Sequence, residues 1–173
     1  MNNSVRKIAL IALYVAIFVV LSLYGTINFS GMRLTLQNLP IYVGAITLGA
    51  APGAIIGFAG MFINQMYVYG FSATTLFWVL PQTILGAVCG YLFENKKVKL
   101  SGGIKFWVCI ISLQVLLTVI NTIVMLIDSL IYGYYSFLVI FGPFILRIMI
   151  SILVGIVYCV IIPVIVKFIK KIH

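Results

Sequence analysis

The chain has 173 residues, of which 64% are hydrophobic and 8% are charged, whereas soluble domains average about 45–50% apolar and about 25% charged residues. This composition excludes an ordinary soluble globular enzyme. Because one helical crossing of a bilayer takes about 20 apolar residues, the length suffices for about six crossings and leaves no room for an extramembrane domain. No GxxxxGK[ST] run occurs, so nucleotide hydrolysis would have to come from another chain.

The formal net charge is +9, with 11 basic residues. All but two of them flank apolar runs, in clusters at 6–7, 96–105 and 167–171. Basic residues beside membrane spans are typical of cytoplasmic loops and ends. The charge therefore indicates topology, and no nucleic-acid partner is predicted. The two remaining basic residues are Arg33 and Arg147.

Glycine, proline and charge divide the apolar sequence into six predicted spans. They are about 8–25, 36–50, 52–69, 75–93, 106–127 and 138–166. Spans two and three are separated by a glycine- and proline-containing turn at 49–53; without it, they would form one helix too long for a bilayer of about 30 Å. The predicted outer connections are the loop at 26–35, the turn at 70–74 and the loop at 128–137.

The basic clusters must lie on one side of the membrane, which requires an even number of crossings between them. Four crossings followed by two satisfy this condition. The predicted fold is therefore an all-α integral membrane protein of the cell membrane, with six transmembrane helices and with N-terminus and C-terminus cytoplasmic. Residues 1–173 are expected to form a single six-helix, multi-pass domain.

Polar residues of the predicted spans concentrate in their outer halves, while the inner halves are almost entirely apolar. Amides and charges are costly in hydrocarbon and usually face a bundle interior or a cavity. A channel would need polar groups through its whole depth, so this pattern predicts a cup that opens outward. The candidate substrate-binding residues are Arg33, Gln37, Asn38, Asn64, Gln65, Trp78, Gln82, Asn121 and Arg147.

Individual residues have alternative interpretations. Membrane amides often bond only to neighbouring helices. Arg147, about nine residues or roughly 14 Å into the sixth span, is expected to serve the site rather than reach the interface, and Asp128 is expected to cap a loop or pair with a basic group. The outer aromatic residues could form either an interfacial belt or a stacking wall; they are Tyr67, Tyr69, Phe77 and Trp78.

The first helix carries a stripe of small residues at Ala9, Ala12 and Ala16. The last two form a small-xxx-small motif, which lets another helix approach closely. The neighbour could be a helix of this chain or of a partner. A partner is the more informative hypothesis, because a cup with an apolar floor needs one to release its cargo inward.

Six helices, the AxxxA motif and the segment LTLQNLPIYVGAITLGA at 34–50 resemble the substrate-binding S components of energy-coupling factor (ECF) vitamin transporters. Leu39-Pro40, Leu48-Gly49 and Pro52-Gly53 match the pattern of that family on helices two and three. The resemblance implies high-affinity binding of a small-molecule vitamin at the outer side. It also implies docking to a transmembrane coupling protein through Ala12 and Ala16, with two cytoplasmic ATPases of the ECF module that power a toppling of the subunit.

Folate is the expected cargo. Its pterin ring could stack on Trp78 and bond to Asn64, Gln65 or Gln82, while Arg147 or Arg33 meets a glutamate carboxylate. The segment at 34–40 differs from the phenylalanine-rich segment of folate S components, which leaves pantothenate, cobalamin, biotin, riboflavin and a thiamin precursor open.

Two other functions agree less well with the sequence. A self-sufficient facilitator is disfavoured by the apolar inner half. An enzyme is not expected, because His173 is the sole histidine and there is no HExxH motif or carboxylate pair. Cys89, Cys109 and Cys159 lack metal-ligand spacing and are expected to be packing residues, so neither a metal nor a cofactor is predicted.

Overall fold

The computed structural model describes residues 3–29, 32–95 and 103–172. Their order of helices follows the six predicted spans, with the last span divided in two and a short β-hairpin after the first helix. The elements are α1 (Asn3–Tyr24), β1 (Thr26–Phe29), β2 (Met32–Thr35), α2 (Leu39–Leu48), α3 (Ala50–Tyr69), α4 (Thr75–Glu94), α5 (Ile104–Tyr132), α6 (Phe137–Phe141) and α7 (Phe144–Ile172).

Four helical segments of the described residues are long and apolar enough to cross a membrane: Ser4–Tyr24, Thr75–Glu94, Ile104–Tyr132 and Phe137–Ile169. The chain is therefore a multi-pass membrane protein. The second and third predicted spans do not reach the same length or apolarity. α2 has only 10 residues, and α3 carries a proline, three glycines and two amides within its 20 residues.

The predicted loop at 26–35 is a β-hairpin in its described part, which corrects the all-α expectation locally. Thr26 pairs with Thr35, and Phe29 pairs with Met32 in an antiparallel register. β-branched and aromatic residues such as Thr26 and Phe29 favour strands. Arg33 lies in β2, opposite Asn28.

The turn predicted at 49–53 is shorter in the structure. Only Gly49, with φ at 100°, separates α2 from α3. Pro52 and Gly53 belong to the first turn of α3, where proline is tolerated because the first N–H groups of a helix have no partner within it. The backbone N–H of Ala50 instead donates to Glu94 Oε2, at 3.3 Å. A carboxylate at this position also complements the helix dipole.

Two boundaries near the sixth span were predicted incorrectly. α5 continues to Tyr132 and ends at Gly133, with φ at 75°, so Asp128 lies in a helix and not in a loop. The predicted span 138–166 breaks at Gly142 and Pro143. Arg147 consequently lies in the first turn of α7, with its N–H bonded to Pro143 O at 2.9 Å.

α3 and α4 pack with their backbones in contact. A Cβ atom on Gly57 would lie 2.2 Å from Gln82 O, and one on Gly86 would lie 2.1 Å from Gly53 O, so no larger side chain fits this crossing. This close crossing fixes Gln82 against α3. In each helix two glycines are four residues apart: Gly53 and Gly57 in α3, and Gly86 and Gly90 in α4. This spacing is a small-xxx-small motif, which was not recognised from the sequence.

The packed core contains large side chains from α1, α2, α5 and α7. Phe18, Tyr42, Phe106 and Tyr158 are fully buried, and the rings of Tyr42 and Tyr158 lie 5.3 Å apart. Cysteines at 89 and 159 are also buried and the one at 109 is half-buried, all three as free thiols within or against this core.

Candidate ligand-binding cavity

A cavity of about 980 Å³ lies among the helices. Ligand pockets generally measure about 300–1,000 Å³, so this one has room for a vitamin-sized molecule. Residues of the hairpin, of the 70–74 turn and of the segment between α5 and α6 all reach it. We call the end of the bundle where these three connections lie the hairpin end.

The cavity brings together every candidate binding residue whose side chain the structure describes. They are Gln37, Asn38, Asn64, Gln65, Trp78, Gln82, Asn121 and Arg147. The side chain of Arg33 lies outside the described part of the chain. Residues that the sequence analysis did not select also line the cavity, among them Ser22, Thr74, Gln114, Met125, Asp128 and Tyr134.

Three amides, one just before α2 and one each from α3 and α4, form what we call the amide wall: Asn38, Gln65 and Gln82. They are only 4%, 5% and 2% exposed, and their side chains make no hydrogen bond within the described ranges. Asn38 Oδ1 and Gln82 Oε1 are buried without any partner. Because a buried unsatisfied polar group costs about 1–3 kcal/mol, a ligand that bonds to the amide wall would recover this energy.

Three hydroxyl groups of α5 and α7 that line the cavity are already bonded. Thr118 donates to Gln114 O at 3.1 Å, Thr122 donates to Thr118 O at 2.9 Å, and Ser151 donates to Ile148 O at 2.8 Å. Each of these bonds stays within one helix. These three hydroxyl hydrogens are therefore used within their own helices, whereas Asn38 Oδ1 and Gln82 Oε1 of the amide wall have no donor among the described residues.

A buried bond between Tyr42 and Gln114 supports the cavity from the core. The Tyr42 hydroxyl donates to Gln114 Oε1 at 3.1 Å. Tyr158, whose ring packs on Tyr42, donates to Thr35 O at 3.3 Å. Helices α2, α5 and α7 and strand β2 are thus connected by two tyrosines.

Tyr42→Phe is expected to lower the free energy of unfolding by about 1 kcal/mol, because Gln114 Oε1 loses its donor while the ring still packs. Thermal unfolding in detergent would measure this. Tyr67→Phe is the matched control, since Tyr67 is 75% exposed. Equal stability of the two variants would contradict a contribution from the buried bond.

Arg147 faces the cavity without a carboxylate partner among the described residues. One of its terminal guanidinium nitrogens lies 3.4 Å from Ile140 O and 3.4 Å from Met125 Sδ. The chain has only two acidic residues. Glu94, at the C-terminal end of α4, accepts a bond from the first N–H of α3, and Asp128 accepts bonds from neutral donors. The positive charge is therefore available to an anionic group of a ligand.

Asp128 bonds to three neutral groups at the hairpin end. Thr74 Oγ1 and Trp78 Nε1 donate to Oδ1, the latter at 3.2 Å, and the Tyr134 hydroxyl donates to Oδ2. The bond to the carboxylate raises the pKa of Tyr134 to about 12, so this hydroxyl stays protonated at neutral pH. Neither the expected loop cap nor the expected basic partner is found in the described part of the chain.

The four outer aromatic residues divide into two pairs. Tyr69 and Trp78 line the cavity, whereas Tyr67 and Phe77 are exposed on the outside of the bundle. The first pair has the location that a stacking wall would need, and the second pair has the location that an interfacial belt would need.

A second, shallow and entirely apolar groove runs between α1 and α3, with a volume of about 630 Å³. Ala12 and Ala16 line it, together with Ile55, Ala59 and Ile63 of α3. Ala9 is exposed on α1 outside this lining. We refer to it as the α1–α3 groove.

The sequence matches the family described as ECF-type riboflavin transporter, S component, over residues 2–171. The fold is similar to that of FolT in a crystal structure with bound folic acid, at a TM-score of 0.58 and 20% sequence identity. That similarity covers 86% of this chain and 93% of the other. No curated protein matches the sequence.

Proposed function

Because the chain belongs to the family of ECF-type riboflavin transporter S components, we propose that its cavity is the binding site for the vitamin that such a subunit delivers to an ECF importer. The family is one of transporter components and not of enzymes. The observation that carries the proposal is that Asn38 Oδ1 and Gln82 Oε1 of the amide wall have no partner among the described residues and line a cavity of about 980 Å³. The candidate residues named above act as ligand contacts in this proposal.

The hairpin end faces the outside of the cell, and both termini are cytoplasmic. The basic clusters support this orientation. The first cluster lies at the N-terminal end of α1 and the last at the C-terminal end of α7, and in both helices this is the end away from the hairpin. Under the positive-inside rule these ends stay in the cytoplasm. A vitamin then enters the cavity from outside.

Folate is the proposed cargo. The pterin ring carries N–H donors that suit the free amide oxygens of Asn38 and Gln82, and Trp78 offers a stacking face. The glutamate tail carries carboxylates that suit Arg147, which has no carboxylate partner within the described residues. FolT, whose fold is similar, was crystallised with folic acid.

Riboflavin is the second candidate, because it is named in the description of the matching family. Its ring system could also stack on Trp78 and donate an N–H to the amide wall. It carries no carboxylate, however, so the charge of Arg147 would have no counterpart on the ligand. This difference favours folate and can be tested directly.

Delivery into the cell is proposed to use partners, because the matching family consists of S components of ECF-type transporters and the chain carries no GxxxxGK[ST] motif for hydrolysing a nucleotide itself. The α1–α3 groove, which Ala12 and Ala16 line, is the proposed contact for the transmembrane coupling protein. Two ATPases of the ECF module would supply the energy. A self-sufficient facilitator would instead carry a vitamin into liposomes without any partner.

We expect that one vitamin quenches the tryptophan fluorescence of the purified protein in detergent at nanomolar concentration. Folic acid, riboflavin, pantothenate, biotin, cobalamin and thiamin would be titrated separately. Trp78→Phe should remove most of the quenching, whereas Trp107→Phe, which removes the chain's other tryptophan, should retain it. No binding of any of these compounds to a folded sample would contradict the proposed function.

A further inference from the structure

The acidic residue at the mouth of the cavity holds three elements together. Asp128 lies near the C-terminal end of α5, Thr74 and Trp78 lie at the start of α4, and Tyr134 lies in the segment before α6. All four residues line the cavity. Three donors converge on one carboxylate there, through Thr74 Oγ1, Trp78 Nε1 and the Tyr134 hydroxyl.

We propose that Asp128 is a positioning residue that fixes the Trp78 ring and ties the segment between α5 and α6 to the start of α4, beside the bound ligand. This role in ligand retention rests on the proposed function. Asp128 acts through Trp78 and Tyr134 and does not itself read the ligand.

The bonding pattern argues against a direct ligand contact. Oδ1 accepts two donors and Oδ2 accepts a third, so much of the accepting capacity of the carboxylate is used within the protein. The amide wall, in contrast, has free acceptors on buried side chains. A ligand donor therefore gains more by bonding to Asn38 or Gln82 than by displacing a donor from Asp128.

The position of the bonds explains the effect on the ligand. An indole ring without its N–H bond can rotate about its side-chain torsions, whereas the bond to Asp128 Oδ1 fixes the plane on which a ring could stack. The bond from Tyr134 ties the segment between α5 and α6 to the same carboxylate. Ligand release then requires these bonds to loosen, so Asp128 should slow dissociation more than it speeds association.

The first test uses the protein without ligand. In a Trp107→Phe background, Trp78 is the only tryptophan and reports its own surroundings. Asp128→Ala and Asp128→Asn should shift its emission to longer wavelength and lower its fluorescence anisotropy. Unchanged emission and anisotropy in both variants would overturn the proposal.

The second test measures dissociation of radiolabelled folic acid, or of riboflavin if that is the vitamin that binds. Asp128→Asn, Trp78→Phe and Tyr134→Phe should each speed dissociation about tenfold, as expected for loss of one hydrogen bond to a charged group. Tyr135→Phe is the matched control. Tyr134 and Tyr135 are both 49% exposed, but of these two tyrosines only Tyr134 bonds to Asp128 in the described part of the chain.

A double-mutant cycle separates positioning from direct contact. If Asp128 acts through its partners, the effect of Asp128→Asn should shrink when Tyr134→Phe or Trp78→Phe is already present. Fully additive effects, or a loss of affinity in Asp128→Asn with unchanged dissociation in Tyr134→Phe, would overturn the proposal. Absence of vitamin binding by the unmodified protein would refute the proposed function instead, and the ligand-free spectra would still decide the role of Asp128 in fixing Trp78.

Discussion

Ala12→Trp or Ala16→Trp is expected to abolish vitamin uptake by cells that contain the complete ECF module, while vitamin binding in detergent remains. Both alanines line the α1–α3 groove, and an indole there would fill a surface that only small side chains leave open to a neighbouring helix. Of the four membrane-spanning segments, α1 is the least buried within the protein. Only 11% of its most apolar stretch is buried, compared with 33–39% in the other three segments. Binding should change by less than about twofold, because exposed substitutions usually cost under about 0.5 kcal/mol.

Leu13→Trp provides the matched control for this prediction. Leu13 is 53% exposed on α1, next to Ala12 in sequence but outside the groove. It should keep both uptake and binding. Uptake by the Ala16→Trp variant at the level of the unmodified protein, or equal losses in all three variants, would contradict docking through the groove.

The helix order and most of the cavity could be predicted from sequence for the same physical reason. In a chain with 64% hydrophobic residues, an amide such as Gln82 stands out, and its cost in hydrocarbon requires it to face an interior or a cavity. Residues with this property from different helices therefore converge on one space. Gln82 and Asn121 illustrate this: neither is near the other in sequence, and both line the same cavity.

The helix ends were less predictable, because apolar composition continues through them. Nothing in the apolar residues around Asp128 indicates that α5 extends to Tyr132, and a single acidic residue does not end a helix when its carboxylate finds three donors. The same continuity hid the break at Gly142, which places Arg147 in a first helical turn. Partners such as Thr74 and Tyr134 were missed because their role depends on that geometry.

The close crossing of α3 and α4 was overlooked for a different reason. Glycine in a sequence is most readily interpreted as the end of a helix. Gly57 and Gly86 instead lie inside helices, where they permit backbone contact. Their four-residue spacings carried the information. The contact matters for the site because it sets the position of Gln82, one member of the amide wall.

Arg147→Ala is expected to weaken folic acid binding by about 1.5–3 kcal/mol, or roughly 10- to 150-fold, as for loss of a charged hydrogen bond. The guanidinium group lines the cavity and has no carboxylate within the described residues to neutralise it. Arg147→Lys should recover only part of the affinity, because an ammonium group cannot bond to a carboxylate in the bidentate manner of a guanidinium group. Equilibrium binding of labelled folic acid would give the affinities of the unmodified protein, Arg147→Ala and Arg147→Lys.

Two controls connect this effect to the ligand carboxylate. Lys167→Ala removes the same charge from an exposed site on the same helix and should leave the affinity unchanged. A pterin that carries no carboxylate at all should bind equally to the unmodified protein and to Arg147→Ala, since neither complex then contains the ion pair. If this truncated pterin loses as much affinity as folic acid in Arg147→Ala, Arg147 supports the structure of the cavity instead of binding a carboxylate. If riboflavin binds tightly and independently of Arg147, the uncharged vitamin is the cargo.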